Sequence, residues 1–251
     1  MSKTVLITGA GSGFGRGAAV ELAGRGHRVI ATTYTDHEAR EMSGAHPELE
    51  VAKLDITEQD DIGTLDNWEI DVLINNAGYG QTGPLARVPM HLVRRTFEVN
   101  VFGTLAVTQR VVAQMKRRGS GRILIVSSIA GVRAGAGSGP YAMSKHALQA
   151  MGSALRLELA PLGIDVALIN PGPFATGFND KMVDDPGDWF DITTASAEEV
   201  AFMQALKQRI TVGQLDPDGV SQTYADLAEA ETTELINFVP TDILERLARP
   251  H

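Results

Sequence analysis

The run Lys3-Thr4-Val5-Leu6-Ile7-Thr8-Gly9-Ala10-Gly11-Ser12-Gly13-Phe14-Gly15 changes character at Thr8. Before it, Val5, Leu6 and Ile7 make a short unbroken apolar run, which suits a strand buried on both faces. After it comes a glycine-rich turn, and then Ala18, Ala19, Leu22 and Ala23 recur at helical spacing. Strand, glycine turn and helix in this order are the surroundings a dinucleotide requires. Glycines admit the tight turn and close backbone approach, and the helix start faces the pyrophosphate. A tight loop with no ligand has the same composition, so the turn needs support from the rest of the chain.

That support begins with periodicity. Strand-like runs recur near residues 3–8, 28–33, 50–55, 71–75, 121–127, 164–170 and 234–239, with helical patterns between them. Alternating strands and helices predict an α/β fold: a doubly wound, Rossmann-like parallel sheet of about seven strands, with helices on both faces and right-handed crossovers. A ligand then lies across the carboxyl ends of the strands. The chain has 251 residues, 43% of them hydrophobic, enough for a full core in a single domain spanning residues 1–251. There is no apolar run of about 18 residues and no signal-like start, so a soluble cytoplasmic protein is expected. The absence of cysteine excludes disulfides and thiolate metal sites, and the 6 histidines show no H-E-x-x-H spacing, so no metal is expected. A net charge of −9 argues against nucleic acid or an anionic membrane as partner.

Chemistry enters with Tyr141 and Lys145, which share one face of a helix that begins at Pro140. A free phenol titrates near about 10, but a neighbouring cation and a helix amino terminus both favour the phenolate. On this reading Tyr141 becomes usable as an acid or base at neutral pH. The bland alternative is a surface pair that merely shares a helix face.

Further motifs join these. Thr8-Gly9 with Gly13 and Gly15 reads T-G-x-x-x-G-x-G; an apolar strand from Asp71 to Ile74 ends in Asn75-Asn76-Ala77-Gly78; Asn100 lies in Glu98-Val99-Asn100-Val101. Ile123 to Val126 end in Ser127-Ser128, and Pro171-Gly172-Pro173 is followed by Thr176. In order and spacing this set resembles the short-chain dehydrogenase/reductase family over the whole chain. The resemblance implies hydride transfer between a nicotinamide dinucleotide and a secondary alcohol or ketone. It makes Tyr141 the general acid or base, Lys145 its electrostatic partner and holder of the nicotinamide ribose, and Ser128 the donor to the substrate oxygen. Asn100 would hold a water beside the lysine, or else satisfy a helix irregularity; Ser127 reads as structural. The same resemblance brings Gly9, Ser12, Gly13, Phe14 and Gly15 around the pyrophosphate. Asp55 and Ile56 fall beside the adenine, Asn76, Ala77 and Gly78 along the ribose, and Pro171, Gly172 and Thr176 at the nicotinamide amide.

Cofactor choice falls at the end of the second strand, where an acid grips the adenosine 2′-hydroxyl and an arginine accommodates a 2′-phosphate. Thr33-Tyr34 is neither, and Asp36 lies past the strand end. Thr33-Tyr34 looks like the variant in some NADP-using members, so NADP(H) is favoured over NAD(H). A lid is expected near residues 174–213, where Phe174, Phe178, Met182, Trp189, Phe190, Phe202 and Met203 either line a pocket for an apolar, aromatic or alicyclic substrate or fill the lid's own core. Asp184-Asp185-Pro186-Gly187-Asp188 reads as its mobile turn. By resemblance, segments 89–118 and 140–162 pair with another subunit in a homodimer or homotetramer; otherwise they are ordinary sheet-covering helices. A non-catalytic dinucleotide sensor need not keep the tyrosine and lysine, and a cofactor-assisted epimerase or lyase resembles longer chains with other glycine spacing.

Overall fold

The computed structural model describes residues 2–184 and 189–248, and its centre is one seven-stranded parallel sheet. In chain order the strands are β1 (Thr4–Ile7), β2 (Arg28–Thr33), β3 (Glu50–Lys53), β4 (Val72–Asn75), β5 (Gly121–Val126), β6 (Ile164–Pro171) and β7 (Ile236–Val239). They lie side by side as β3-β2-β1-β4-β5-β6-β7, the doubly wound arrangement expected from periodicity. Each of the seven apolar runs read from the sequence contains or overlaps one of these strands.

The strands are apolar on both faces because helices cover both. Val5 and Ile7 of β1 point into one layer with Ala18, Ala19 and Leu22 of α1 (Gly13–Gly24) and Val220, Tyr224 and Ala225 of α9 (Asp218–Glu229). Leu6, between them, points into the other layer with Val107, Val111 and Met115 of α5 (Thr104–Arg118) and Leu148 of α6 (Gly139–Leu159). This is the period-two alternation of a strand with a core on each side. The remaining helices are α2 (Asp36–Ala45), α3 (Gln59–Gly63), α4 (Met90–Phe97), α7 (Phe178–Asp184), α8 (Ala197–Thr211) and α10 (Ile243–Ala248). Among the described residues no helix is long and apolar enough to cross a membrane. Most of the acidic turn expected in the lid, residues 185–188, lies outside the described residues.

Two features of this frame position the site. A buried Arg122 on β5 pairs with Asp165 and donates to the carbonyls of Leu227, Ala228, Ala230 and Glu231, so the carboxyl end of α9 is satisfied by a guanidinium rather than by water. Between α4 and α5 the helix widens into a π segment, Glu98–Gly103, a device that often marks functional sites. Gly103 ends it because the backbone of the loop after β3 passes too close for a side chain: a Cβ there would lie 2.8 Å from the carbonyl oxygen of Ile56.

Gly103→Ala should therefore destabilise the fold by about 1–3 kcal/mol, the usual cost of overpacking. The measurement is the urea midpoint at unchanged m value, and a midpoint equal to wild type would mean that the π segment and the Ile56 loop part without strain.

Candidate active site

The order of strands reverses between β1 and β4, so the crevice at their carboxyl ends is the natural ligand groove of this sheet. Its walls are the turn Thr8–Gly15 after β1 and Asn76–Gly78 after β4. They are stitched by side chains: Thr8 Oγ1 accepts the N–H groups of Asn76 and Ala77, each at 3.0 Å, and Asn76 Nδ2 donates to the carbonyls of Thr8 and Gly9, again at 3.0 Å. Tyr224 of α9 holds Asn76 from behind with a 3.4 Å bond to Oδ1. The glycines are steric necessities. A Cβ on Gly9 would lie 2.8 Å from Ala77 Cα, and one on Gly15 would lie 2.5 Å from Asn76 Nδ2. Gly9 and Gly13 also have φ of +65° and +53°, which favour glycine. Ser12 is the residue before α1 and its hydroxyl caps nothing in that helix. The ring of Phe14 turns away, edge-on to Phe174 at 5.5 Å, so of this residue only the backbone faces the groove. Thr176 closes the far side; a Cβ on Gly13 would lie 3.3 Å from its Cβ.

At the β2 end of the groove the structure differs from the sequence expectation. Thr33 is buried and donates to the carbonyl of Thr35, while Tyr34 is 57% exposed and Asp36 lies in the first turn of α2, off the strand. The strand end nevertheless has a carboxylate. Glu38 folds back from α2 and accepts the N–H groups of Tyr34 and Thr35 on Oε2, at 3.0 and 3.2 Å, as half of a capping box with Thr35. Local reading missed Glu38 as a groove residue, although the T-x-x-E spacing that turns it back was visible. Further along, Asp55 Oδ1 accepts both N–H and Oγ1–H of Thr57, and Ile56 is buried against the π segment.

The catalytic candidates meet where β5 runs out against α6. Pro140 lies in the first turn of α6, one residue after its start at Gly139, and Tyr141 and Lys145 stand one turn apart on the same face. Lys145 is buried; its Nζ donates to the carbonyl of Val126 at 2.9 Å and lies 5.5 Å from the Tyr141 ring centre. Tyr141 shares a side-chain hydrogen bond with Ser128, and its ring packs 5.8 Å from that of Phe178 in α7. Ser127 binds the backbone instead: its hydroxyl donates to the Lys145 carbonyl and accepts from Gln149, tying β5 to α6. Asn100 lies in the π segment, but its side chain ties the loop after β4 to α6 rather than bonding to the π segment itself. Its Oδ1 accepts the Tyr79 N–H at 2.7 Å, and its Nδ2 donates to the Tyr79 carbonyl and to Ser144 Oγ. Only one Oδ1 lone pair remains. Gly78 runs between this group and the lysine: a Cβ there would lie 3.5 Å from Asn100 Oδ1 and 3.8 Å from Lys145 Nζ.

The protonation of the pair corrects the expectation of a favoured phenolate. Burial pushes the Tyr141 phenol up to about 12 from 10.0, and the bond to Ser128 only partly opposes this. Burial also brings Lys145 down to about 8 from 10.5. Desolvation disfavours both charged forms, and at Tyr141 it outweighs the bond to Ser128. The resting state at neutral pH is a protonated phenol beside a lysine that is still mainly cationic.

Pro171 ends β6 and is buried, and the N–H of Gly172 donates to Val239 at 2.8 Å, which fixes that turn over the groove. Above it, α7 and α8 pack down on the loop after β4. Thr82 Oγ1 donates to the Met182 carbonyl at 2.8 Å, and Gly83 and Gly80 leave the space taken by Trp189 and Met182. Part of the aromatic content of 174–213 thus packs against the body of the protein: Trp189 adjoins the small cluster of Val88, Leu92 and Val93, and Phe174 joins the main core. Among the described residues no group of three or more histidine or acidic side chains is placed to bind a metal.

Comparison with known proteins bears on this geometry. The family model for short chain dehydrogenases matches residues 3–187. The uncharacterized oxidoreductase YusZ of Bacillus subtilis is 36% identical to this chain, with 90% of the chain and 82% of that protein aligned. Human 17-beta-hydroxysteroid dehydrogenase type 1 is 34% identical, over 98% of this chain and 80% of its own length. The crystal structure of 3-ketoacyl-(acyl-carrier-protein) reductase from Brucella melitensis, complexed with NADH, superposes with a TM-score of 0.77 at 25% identity, covering 94% of this chain and 96% of that one.

Lys145 should titrate near pH 8 in the ligand-free protein, cationic below and neutral above, while exposed lysines hold their protons to about 10.5. Carbon-13 NMR of ε-labelled lysine, assigned with Lys145→Met, measures this directly. A Lys145 midpoint at or above 10 would show that burial does not control the group.

Proposed function

This chain belongs to the short-chain dehydrogenase/reductase family and is an oxidoreductase, and on that premise we propose that it transfers a hydride between a nicotinamide dinucleotide and a secondary alcohol or ketone. The observation that carries the reading is the meeting of Ser128, Tyr141 and Lys145 at the carboxyl edge of the sheet whose glycine turn forms the adjoining wall. The groove suits a dinucleotide: Gly9 and Gly15 have no room for a Cβ, and α1 begins at the turn. Gly9, Gly13, Gly15 and the backbone of Phe14 would hold the pyrophosphate with Ser12. Asp55, Ile56, Asn76, Ala77 and Gly78 would border the adenosine, and Pro171, Gly172 and Thr176 the nicotinamide end. The dinucleotide supplies the hydride chemistry when bound.

The chain's own part is the proton. Tyr141, protonated at neutral pH, donates to the substrate oxygen in reduction and, in the opposite direction, accepts from the alcohol. Ser128 donates a hydrogen bond to the same oxygen and stabilises the charge that develops there. Lys145, cationic below about pH 8, lowers the cost of a transient phenolate. Asn100 fixes the Tyr79 backbone and Ser144, and its remaining Oδ1 lone pair would accept from a water that passes a proton to the lysine. A sensor with no chemistry has no use for a lysine buried at this cost, which separates the two readings.

The substrate class we propose is apolar, aromatic or alicyclic, with residues 174–213 as the lid. Phe178 against Tyr141 supports this, as does the steroid named for the human relative. We also propose a homodimer or homotetramer through α4, the π segment, α5 and α6, where Met90 of α4, Phe102 of the π segment and Met143 and Leu157 of α6 are 58%, 55%, 44% and 79% exposed.

Absorbance change of the nicotinamide with a panel of ketones and secondary alcohols tests the reaction. Tyr141→Phe should lower the chemical step by about 10²-fold or more, the scale of general acid catalysis, and leave dinucleotide affinity within a few-fold. Near-normal turnover in that variant would remove Tyr141 from the mechanism. For assembly, Phe102→Glu should shift the sedimentation coefficient toward a monomer; a wild-type protein already monomeric at micromolar concentration would exclude the oligomer.

A further inference from the structure

The turn between β2 and α2 carries a carboxylate that strand-end spacing does not show. Glu38 is half-buried and returns along the strand end rather than pointing to solvent, with both of its backbone bonds on Oε2. A Cβ built on Gly11 would lie 3.7 Å from the Glu38 carboxyl carbon and 3.5 Å from Thr33 Cγ2. The carboxylate therefore sits between the glycine turn and the end of β2, where the adenosine ribose lies in this type of sheet. The two N–H groups that would bind an anion there, those of Tyr34 and Thr35, already bind Glu38. Asp36 adds a second negative charge in the same helical turn. Two cations are near: the exposed Arg16, which donates to the carbonyl of Gly11, and Lys53, which lies opposite Thr33 in the β2–β3 register and pairs with Asp61.

We propose that Glu38 makes this protein selective for NAD(H), by accepting the adenosine 2′-hydroxyl on Oε1 and repelling a 2′-phosphate. The proposal rests on the dinucleotide reading above and replaces the NADP(H) preference read from Thr33-Tyr34. A phosphate in this position meets a fixed carboxylate with its local donors occupied, and like charges juxtaposed at a binding site discriminate strongly. The capping box keeps Glu38 in place, since departure of its side chain would leave the N–H groups of Tyr34 and Thr35 unpaired. Where other chains select with a residue on the strand itself, this one selects from the first turn of the next helix.

Calorimetric titration of the substrate-free protein with NADH and NADPH reads the selection without turnover. Wild type should bind NADH at least about 10-fold more tightly. Glu38→Gln keeps a side chain able to complete the capping box, and it should cut that preference by about 10-fold, mostly by strengthening NADPH binding. Equal or tighter binding of NADPH by wild type would overturn the proposal without reference to any variant, as would an unchanged ratio in Glu38→Gln. If wild type prefers NADPH and Arg16→Gln abolishes the preference, selection belongs to Arg16 and the proposal falls. Binding of neither dinucleotide would overturn the underlying reading as well, an outcome distinct from binding without selectivity.

Discussion

The hydroxyl of Thr8 holds together the ends of two neighbouring parallel strands, and the groove exists because of that join. Parallel strands finish with their last N–H groups and carbonyls unpaired and pointing into the same crevice. Here Thr8 Oγ1 takes two of those N–H groups and the Asn76 amide takes two carbonyls, so the strand ends are satisfied by each other. The approach this requires is so close that Gly9 must lack a side chain. Breaking the join leaves several buried polar groups unpaired, each at about 1–3 kcal/mol. The same glycine lets the turn that leads into α1 lie directly against the end of β4, so one constraint shapes both the strand closure and the wall of the groove.

Burial governs the chemistry in this groove. Taking Tyr141 and Lys145 out of water favours their neutral forms, and each moves away from its ordinary value in the direction desolvation dictates. The consequence is a phenol held protonated through neutral pH, next to an ammonium that loses its proton near pH 8. Lys145 is tolerated because the Val126 carbonyl accepts from it. The support around the pair is equally specific. Ser127, Asn100 and Ser144 bind the backbone of α6 or of Tyr79, so the π segment, β5 and α6 are fixed relative to one another before any ligand arrives.

Residues far apart in sequence complete the groove. Tyr224 braces Asn76 from α9, whose own end is held by Arg122 across the sheet. Thr176 reaches Gly13 from the segment after β6, and Phe178 covers Tyr141. The segment after β6 is anchored by packing against the glycines of the loop after β4, which makes its aromatics partly structural.

The sheet, its order of elements, the glycine turn and the Tyr141–Lys145 face were legible in the chain itself, because each depends on local periodicity: two residues for a strand, about four for a helical face, and glycine where a turn demands it. Asn100 was singled out by resemblance alone, since no periodicity marks it. Tertiary structure alone decided the rest. Whether the phenol is favoured as its anion depends on how completely solvent is removed, a sum over neighbours from several elements that no spacing records. Tyr224 and Thr176 join the groove only when distant elements pack. Glu38 is the clearest case. Its capping-box spacing was on view, but only the fold puts that turn beside Gly11 and brings a helix-capping carboxylate to the edge of the groove.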